Sequence, residues 1–280
     1  MFQNLTPSEQ AKLVLSLTDL TSLNDSDTYQ STAALCEKAN STYGQTAAVC
    51  VYKQFAGYAK EILQDSIPVA TVINFPDGAL DQARFNYELA YALEQQVDEI
   101  DYVFPWRKLQ ELTAQQAPEF TDIQTVKACP AYQELSTLLK PYLDPLTAAT
   151  KAKRLPRIKV ILESGSLTPF QIALASQICI DYQVDFIKTS TGKHGQGATL
   201  EAAKVIFNVI KANNAPTGFK ASGGVSTVAQ AMEYINLAAS ILGEQFIKPE
   251  TFRFGASGIF NDIKALIDTG KSTTQVSTGY

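Results

Sequence analysis

This chain has one histidine and no cluster of cysteines, and both features limit the metal sites that it can form. Its 280 residues include one histidine, His194, and four widely spaced cysteines, Cys36, Cys50, Cys129 and Cys179. A catalytic zinc site with three histidines therefore cannot be built, and no C-x-x-C pair replaces it. Isolated cysteines are typical of reduced thiols in a cytosolic protein. We expect no metal site and no cofactor, although a carboxylate-bound magnesium ion stays open.

Other missing patterns exclude several classes of protein. The first residues, "MFQNLTPSEQAKLVL", have neither the basic flank nor the apolar core of a signal peptide, and no apolar run is long enough to span a bilayer. A net charge of −5 argues against nucleic acid as the main partner. Neither G-x-G-x-x-G nor G-x-x-x-x-G-K-[ST] occurs. These absences predict a cytoplasmic protein that binds neither membrane nor nucleic acid.

Short apolar segments alternate with helical periodicity along most of the chain. Phe85, Leu89, Leu93 and Val97 form one apolar stripe, which predicts a helix over 81–97. Further helices are expected at 199–212, capped by Thr199, and at 226–242, capped by Ser226 or Thr227. The predicted strands are "LSLTDL" (15–20), "AAVCVY" (47–52), "VATVINF" (69–75), "EIDYVF" (99–104), "IKVILE" (158–163), "DFIKTS" (185–190), "GFKASG" (218–223) and "FRFGAS" (252–257).

Eight strand-then-helix units predict a closed (β/α)8 TIM barrel of the α/β class, with an open doubly wound sheet as the structural alternative. The stretch from 105 to 157 is the longest connection, and we interpret it as an insertion with one or two extra helices. The last ten residues, "KSTTQVSTGY", are small and polar. We therefore predict a catalytic barrel over 1–270 and a flexible tail over 271–280.

Three lysines are predicted to meet at one face of the barrel. In such barrels the functional residues lie at the C-terminal ends of the strands and in the loops that follow. Cationic groups gathered there in an acidic protein indicate a small anionic substrate. The residues in these positions are Asp19, Thr21, Asp101, Glu163, Lys188, Thr191, Lys193, Lys220, Gly223, Gly224, Gly255 and Ser257.

Lys188 and Lys220 lie near the ends of neighbouring predicted strands. Two nearby ammonium groups disfavour each other, and burial disfavours both, so the pKa of each should fall. A neutral lysine is a nucleophile that forms an imine with a carbonyl, and Asp101 could move protons for that imine. The ordinary alternatives are a solvated lysine and an aspartate that caps a turn. Glu163 and Lys159, on the fifth predicted strand, could equally form structural pairs or touch substrate.

Glycine-rich turns follow three of the late strands. "TGK" (191–193), "SGGV" (222–225) and "GAS" (255–257) could present backbone N–H groups to an anion beside helix N-termini. Their place after the last strands matches the phosphate site of many barrels. His194 lies in the loop "GKHGQG" and is expected to be a loop residue rather than a catalyst.

These motifs closely resemble the deoxyribose-phosphate aldolase family, whose members cleave 2-deoxyribose 5-phosphate to acetaldehyde and glyceraldehyde 3-phosphate through a lysine imine. They occur in family order over nearly the whole chain, and "DFIKTSTGK" with "GFKASGG" is the most specific combination. The others are "LTDLTSLN" (17–24), "TAAVCVY" (46–52), "ATVINFPDG" (70–78), "DEIDYVFP" (98–105), "KVILESG" (159–165) and "RFGAS" (253–257).

The resemblance implies a role for each matching residue. Lys188 would form the Schiff base, while Lys220 would lower its pKa and relay protons together with Asp101. Asp19 and Thr21 would support the pocket, and Tyr280 on the tail could assist proton exchange at the acetaldehyde carbon. Barrels of this kind often form homodimers. The residues implied for holding the phosphorylated substrate are Thr191, Gly192, Lys193, Gly223, Gly224, Gly255 and Ser257.

The sequence departs from the family pattern around the phosphate. Ser226 stands where an arginine often follows "GGV", Gly258 replaces a second serine, and "GFKASGG" replaces "GFKPAGG". These changes predict a raised KM for the phosphorylated sugar with a smaller effect on kcat. Three alternatives stay open: another imine-forming aldolase or transaldolase, a non-catalytic phosphosugar-binding barrel, and an isomerase with Glu163 as its base.

Overall fold

The computed structural model describes residues 2–114, 120, 122–151 and 156–273. Its strands are β1 (Thr18–Thr21), β2 (Asn40–Ser41), β3 (Gly44–Gln45), β4 (Ala48–Val51), β5 (Val69–Ile73), β6 (Glu99–Val103), β7 (Arg157–Ile161), β8 (Phe186–Lys188), β9 (Gly218–Ser222) and β10 (Phe252–Ala256). Its α-helices are α1 (Pro7–Ser16), α2 (Tyr29–Ala39), α3 (Lys53–Leu63), α4 (Gln82–Glu94), α5 (Trp106–Thr113), α6 (Ile123–Ala128), α7 (Pro130–Lys151), α8 (Pro169–Asp181), α9 (Leu200–Ala212), α10 (Val228–Leu242) and α11 (Ile259–Thr269).

Eight parallel strands close into a barrel in the order β1-β10-β9-β8-β7-β6-β5-β4, with β4 paired back to β1. The predicted (β/α)8 barrel is thereby confirmed, and the open sheet is excluded. Each of the eight predicted strand segments overlaps a barrel strand. The first was predicted to start too early, because residues 15 and 16 still belong to α1 and the strand begins at Thr18.

Local sequence signals explain where the helices begin. Thr199 caps α9, since its Oγ1 accepts a hydrogen bond from the Ala202 N–H at 3.1 Å. Thr227, rather than Ser226, caps α10 through the Gln230 N–H at 3.2 Å. The predicted helix over 81–97 is α4, which ends at Glu94.

The long connection between β6 and β7 carries three helices, α5, α6 and α7, so the predicted extra helices are confirmed. None of the helices in the described part of the chain is long and apolar enough to cross a membrane. Residues 271–273 have no regular structure, while the rest of the predicted tail, including Tyr280, lies outside the described residues.

Candidate active site

Seven charged side chains are buried inside the barrel, where TIM barrels usually hold branched apolar residues. Each is at most 3% exposed. They lie at alternate positions of the strands because alternate side chains of a strand face the same side. The cluster consists of Asp19 on β1, Glu99 and Asp101 on β6, Lys159 on β7, Lys188 on β8, Lys220 on β9 and Arg253 on β10.

Asp101 is the centre of this charge cluster. Its Oδ2 lies 2.9 Å from the Nζ of Lys188 and 2.9 Å from the Nζ of Lys220. Its Oδ1 accepts a hydrogen bond from the Nζ of Lys159 at 2.9 Å. The strand register accounts for the arrangement, since Lys188 is directly opposite Lys220 and Asp101 is directly opposite Lys159. The predicted trio of Lys188, Lys220 and Asp101 is therefore brought together.

Asp19 and Glu99 extend the cluster deeper into the barrel. Asp19 contacts the Nζ of Lys220 at 2.6 Å, the Nζ of Lys159 at 3.4 Å and the Nη1 of Arg253 at 2.6 Å. Glu99 binds Lys159 and lies 3.3 Å from the Nη2 of Arg253. Asp19, predicted from the motif, is thus a partner of the lysines, and its side chain is fully buried.

Lys188 is the most weakly compensated cation of the charge cluster. Within the described chain Asp101 is its sole carboxylate partner, whereas Lys220 has both Asp101 and Asp19. Burial and the charge of Lys220 lower the pKa of Lys188, and the attraction of Asp101 offsets this only in part. The geometry therefore singles out Lys188 as the amine that is most easily neutral.

The pKa of Lys220 moves in the opposite direction from the prediction. Burial disfavours its ammonium, but the carboxylates of Asp101 and Asp19 outweigh that penalty and raise the pKa well above its usual range. The expectation that both lysines would have a lowered pKa is therefore wrong for Lys220. Burial likewise opposes ionisation of Asp101, yet Lys159, Lys188 and Lys220 together hold its pKa well below the ordinary carboxyl value. Asp101 is a carboxylate and Lys220 an ammonium at neutral pH.

A compact apolar group lies beside the charges and toward the C-terminal ends of the strands: Ala70 and Val72 are opposite Glu99 and Asp101 in the strand register, and Val103 is opposite Ile161 nearer those ends. The group is closed by the indole of Trp106, which has Arg107 3.9 Å above its ring and the His194 ring 5.9 Å away. An amine beside such a group is shielded from water, which favours its neutral form. The group consists of Leu23, Cys50, Ala70, Val72, Phe75, Val103, Trp106 and Ile161.

Glu163 fixes the turn that follows β8. Its carboxylate accepts hydrogen bonds from the N–H of Thr191, at 3.3 Å, and from the Thr191 hydroxyl. The Thr191 hydroxyl oxygen in turn accepts from the N–H of Lys193 at 3.1 Å. Burial raises the pKa of Glu163. The structural pairing predicted for both residues therefore involves other partners: Thr191 for Glu163, and Asp19, Glu99 and Asp101 for Lys159.

Two successive glycines turn the chain after β9 in a conformation that other residues avoid. Gly223 and Gly224 have φ of +80° and +83°. The loop after β8 packs closely on this turn, because a Cβ on Gly197 would lie 2.4 Å from the carbonyl oxygen of Gly223. Gly192 also has a positive φ, of +78°. The turns at 191–193 and 223–224 therefore meet at one side of the barrel opening, as predicted for an anion site.

Gly255 and Thr21 support the site through packing and hydrogen bonding, which the sequence motif did not indicate. A Cβ on Gly255 would lie 2.8 Å from the Cε of Lys220, so the missing side chain makes room for that lysine. Thr21 donates its hydroxyl to the carbonyl oxygen of Asp19 at 2.8 Å. Ser257 is exposed just before α11. Each of these three lies on or beside the strands that carry Asp19 and Lys220.

The structure shows the contacts made at Ser226 and the position of Gly258, two residues that depart from the family pattern. The Ser226 N–H and hydroxyl both donate to the Gln230 side-chain oxygen, at 2.9 and 3.2 Å. Gly258 precedes α11 and supplies no side-chain cap. Neither position carries a cation. Among the residues predicted for the phosphate, Lys193 alone has a cationic side chain, and it is half-buried.

The chain turns back toward the barrel opening after α11. Gly270, with φ of +71°, ends the helix, and Thr273 then donates its N–H to Asp262 at 2.7 Å. Asp262 also accepts from the Ser272 hydroxyl and from the Val228 N–H at the start of α10. Because Asp262 is in the first turn of α11, these bonds hold 272–273 at the face where the active site opens.

A comparison with known sequences and structures identifies the family. The sequence profile of the DeoC/LacD family aldolases matches residues 13–257. The chain belongs to the DeoC/LacD aldolase family. Among solved structures, it resembles a candidate deoxyribose-phosphate aldolase from Coccidioides immitis, with 25% identity and a TM-score of 0.68 over 91% of this chain and 87% of that one.

Two further structures share the barrel of this DeoC/LacD member. A candidate deoxyribose-phosphate aldolase from Toxoplasma gondii has 20% identity and a TM-score of 0.78, covering 95% of this chain and 99% of that one. The tetrameric deoxyribose phosphate aldolase from Aeropyrum pernix has 20% identity and a TM-score of 0.64, covering 95% of each chain. At this identity the likeness concerns the fold.

Sequence reasoning missed part of the charge cluster. Glu99 and Arg253 were not singled out, and for Lys159 the sequence left structural pairing and substrate contact equally open. One signal was available: Glu99 and Asp101 are two positions apart in an otherwise apolar strand, and so face the same side. Lys159, in the middle of "IKVILE", carries the same signal of a charge inside a buried strand.

Proposed function

We propose that this protein is a class I aldolase that reversibly cleaves 2-deoxy-D-ribose 5-phosphate to D-glyceraldehyde 3-phosphate and acetaldehyde, as part of deoxyribose phosphate catabolism. The observation that carries the proposal is the environment of Lys188. It is a buried lysine with a lowered pKa, and its single described carboxylate partner, Asp101, is shared with an ammonium. Membership of an aldolase family agrees with this chemistry.

The proposed reaction begins at the neutral amine of Lys188. Its nitrogen attacks the substrate aldehyde carbon, and the resulting carbinolamine loses water to give a protonated imine. The imine draws electrons from the bond between the second and third carbons. That bond breaks once the hydroxyl on the third carbon gives up its proton, leaving glyceraldehyde 3-phosphate and an enamine. Protonation of the enamine carbon and addition of water then release acetaldehyde and Lys188.

Asp101 and Lys220 would handle the protons of these steps. Asp101, as a carboxylate beside Lys188, can accept a proton, and the Lys220 ammonium on the same oxygen can donate one. Their opposite charge states, set by opposite pKa shifts, suit a base and an acid that act in turn. Asp19 would hold Lys220 in place at 2.6 Å.

The phosphate would bind where the glycine turns meet. Backbone N–H groups near Gly192, Gly223 and Gly224, with the lysine at 193 and the start of α11 beyond Ser257, form an anion-binding arrangement. Gly255 would contribute by admitting Lys220. Tyr280 would assist proton exchange, since the chain at 272–273 is held at the same face. We further propose a cytoplasmic homodimer whose barrel comprises 1–270, with 271–280 as its tail.

The alternative functions make different use of the site. An isomerase would use Glu163 as its base, through the carboxylate oxygen that is not bonded to Thr191, and would need no lysine with a lowered pKa. A transaldolase-like enzyme would share Lys188 but would require a donor larger than acetaldehyde. A binding barrel would need no weakly compensated lysine.

Borohydride trapping tests the proposal. The protein is incubated with acetaldehyde, reduced, digested and analysed by mass spectrometry. We expect a two-carbon adduct on the peptide that contains Lys188, and none in Lys188→Ala. Lys193→Ala is the matched control, since that lysine is five residues away and outside the charge cluster, and its adduct on Lys188 should persist. An adduct formed with a larger ketone alone would instead favour the transaldolase, and no adduct with any carbonyl would favour a binding barrel.

A further inference from the structure

Lys159 is a buried lysine that the proposed reaction does not use. It is opposite Phe186 in the strand register, whereas Lys188 is opposite Ile161, two residues further along β7. Lys159 is therefore one layer deeper in the barrel than Lys188, with the apolar side chain of Ile161 on the side of the opening. Its side chain is fully buried. A group in this position cannot touch the substrate, so any influence on the reaction must pass through its neighbours.

We propose that Lys159 is a positioning residue that keeps Lys188 neutral by occupying the inner oxygen of Asp101. This inference rests on the proposed imine mechanism. The Nζ of Lys159 is 2.9 Å from Oδ1 of Asp101, which leaves Oδ2 to be shared by Lys188 and Lys220. One carboxylate therefore serves three ammonium groups, and among the described residues Lys188 is the one of the three that has no second carboxylate.

The balance of buried charge leads to the same conclusion. The cluster contains three carboxylates, those of Asp19, Glu99 and Asp101, and four cationic groups. A net charge away from water is costly, so the cluster is balanced when one lysine is neutral. Lys188 has the fewest carboxylate partners of the three lysines, so it is the lysine that becomes neutral. Without Lys159, three cations would face three carboxylates, and Lys188 could stay protonated at no cost in charge balance.

Among the described residues, the titratable groups that face Lys188 are fixed in one state near neutral pH or are hydrogen-bonded to a partner. Asp101 on β6 is ionised and Lys220 on β9 is protonated, each by a large pKa shift. Burial raises the pKa of Cys50 on β4 to about 11, so it is a thiol. Glu163, after β7, is bonded to Thr191. The deeper charges, in contact with Lys159 or with its partners, are Asp19 on β1, Glu99 on β6 and Arg253 on β10, and the partly exposed Arg157 on β7 lies 3.6 Å from Glu99.

Charge substitutions in opposite directions test the inference. The measured quantity is the rate of trapped acetaldehyde adduct at Lys188 from about pH 5 to about pH 10, a range that brackets a lowered lysine pKa. Lys159→Met removes a positive charge, so Lys188 should hold its proton more tightly. The midpoint of the profile should rise by about one pH unit or more, which is an approximately tenfold slower reaction at neutral pH.

Three further variants test the opposite shift of the midpoint, its cancellation and the control. Glu99→Gln removes a negative charge from the partners of Lys159, so the midpoint should fall. The double variant Lys159→Met/Glu99→Gln removes one charge of each sign and should restore a midpoint near that of the wild type. Lys159→Arg retains the charge and should leave the midpoint unchanged. Circular dichroism establishes that each variant is folded.

The possible results separate the inference from the proposed function. If Lys159→Met and Glu99→Gln both slow the reaction at every pH without moving the midpoint, Lys159 has a purely structural role and the inference is wrong. Shifts of the same sign in both variants would also overturn it. If Lys159→Met does not fold, two other results decide the inference. They are the direction in which Glu99→Gln moves the midpoint and the midpoint of the double variant. Absence of an adduct in the wild type would instead reject the imine mechanism itself.

Discussion

Lys188 and Lys220 are directly opposite each other on neighbouring strands, and their ammonium nitrogens lie 2.9 Å from one and the same oxygen of Asp101. Two lysines in such equivalent positions would be expected to have similar pKa values. They differ because Lys220 also contacts Asp19 at 2.6 Å, on the side away from Lys188. One additional carboxylate thus separates a lysine that stays charged from one that can lose its proton.

Replacement of Lys220 should separate imine formation from turnover. In Lys220→Met, Lys188 no longer has a cation beside it and its pKa should rise, so imine formation at neutral pH should slow by about tenfold or more. Raising the pH should restore imine formation. Turnover should remain low by a factor of about 10² to 10⁴, because a proton donor is also lost. Trapping and steady-state assays measured over the same pH range check this, and full recovery of turnover at high pH would contradict it.

Gly255 should be intolerant of even one added methyl group. A Cβ there would lie 2.8 Å from the Cε of Lys220 and 2.5 Å from the Ser222 hydroxyl, within a buried strand. Gly255→Ala should therefore displace Lys220, reduce kcat and destabilise the fold by about 1–3 kcal/mol. The control is Gly243→Ala, which strains a positive φ at the end of α10, where the nearest atoms belong to the exposed side chain of Gln245. It should lower the melting temperature without changing kcat; equal kcat values for both variants would refute the packing argument.

Restoring a cation beside the glycine turn should tighten phosphate binding. The long stem of Ser226→Arg can carry its guanidinium from a buried Cα to the surface. KM for the phosphorylated sugar should fall several-fold, with a smaller change in kcat. Ser226→Ala is the control, because it removes the hydroxyl bond to Gln230 without adding charge. KM should remain high in Ser226→Ala, and an unchanged KM in Ser226→Arg would show that phosphate does not bind at this turn.

Asp262 should hold the C-terminal segment at neutral pH and release it in acid. Burial opposes its ionisation, but hydrogen bonds from Ser272, Val228 and Thr273 lower its pKa below the ordinary value of 3.8. A carboxyl group with a lowered pKa in the folded protein stabilises it above that ordinary value. This contribution is lost as the pH falls through the lower, folded-state pKa.

Tryptic cleavage after Lys271 reports on this anchor. Asp262→Ala should be cut about tenfold faster or more at neutral pH, since hydrogen bonds to a charged group each contribute about 1.5–3 kcal/mol. Asp268→Ala alters the same residue type on the same helix, where the aspartate is exposed and bonded to the Tyr43 hydroxyl. Its cleavage rate should match that of the wild type. Equal rates in the two variants would show that Asp262 does not anchor the segment.

The barrel and part of its site could be predicted because both follow from local patterns. Eight apolar segments separated by helical stripes defined the strands, and two lysines on consecutive strands had to be neighbours in a parallel sheet. The signs of their pKa shifts could not be predicted in the same way. They depend on Asp19, which comes from the other end of the chain and reaches Lys220 only when the barrel closes.

The deeper charges were missed for a related reason. Arg253 is one residue after Phe252 in a strand that was interpreted as apolar, and its partners Asp19 and Glu99 are distant in sequence. Which side of a strand faces the barrel axis depends on register, and a single charge gives no register. The motif correctly drew attention to Gly255, but the need for space around Lys220 is visible only in three dimensions.

The reversal of the chain at Gly270 has a practical consequence for anyone who expresses this protein. Since Asp262 holds 272–273 at the starts of α10 and α11, a purification tag added after residue 280 would be joined to a segment that leaves the barrel on its catalytic side. We predict that such a tag would raise KM, which a comparison of tagged and untagged protein would check. Kinetic constants should therefore be measured on protein with a free C-terminus.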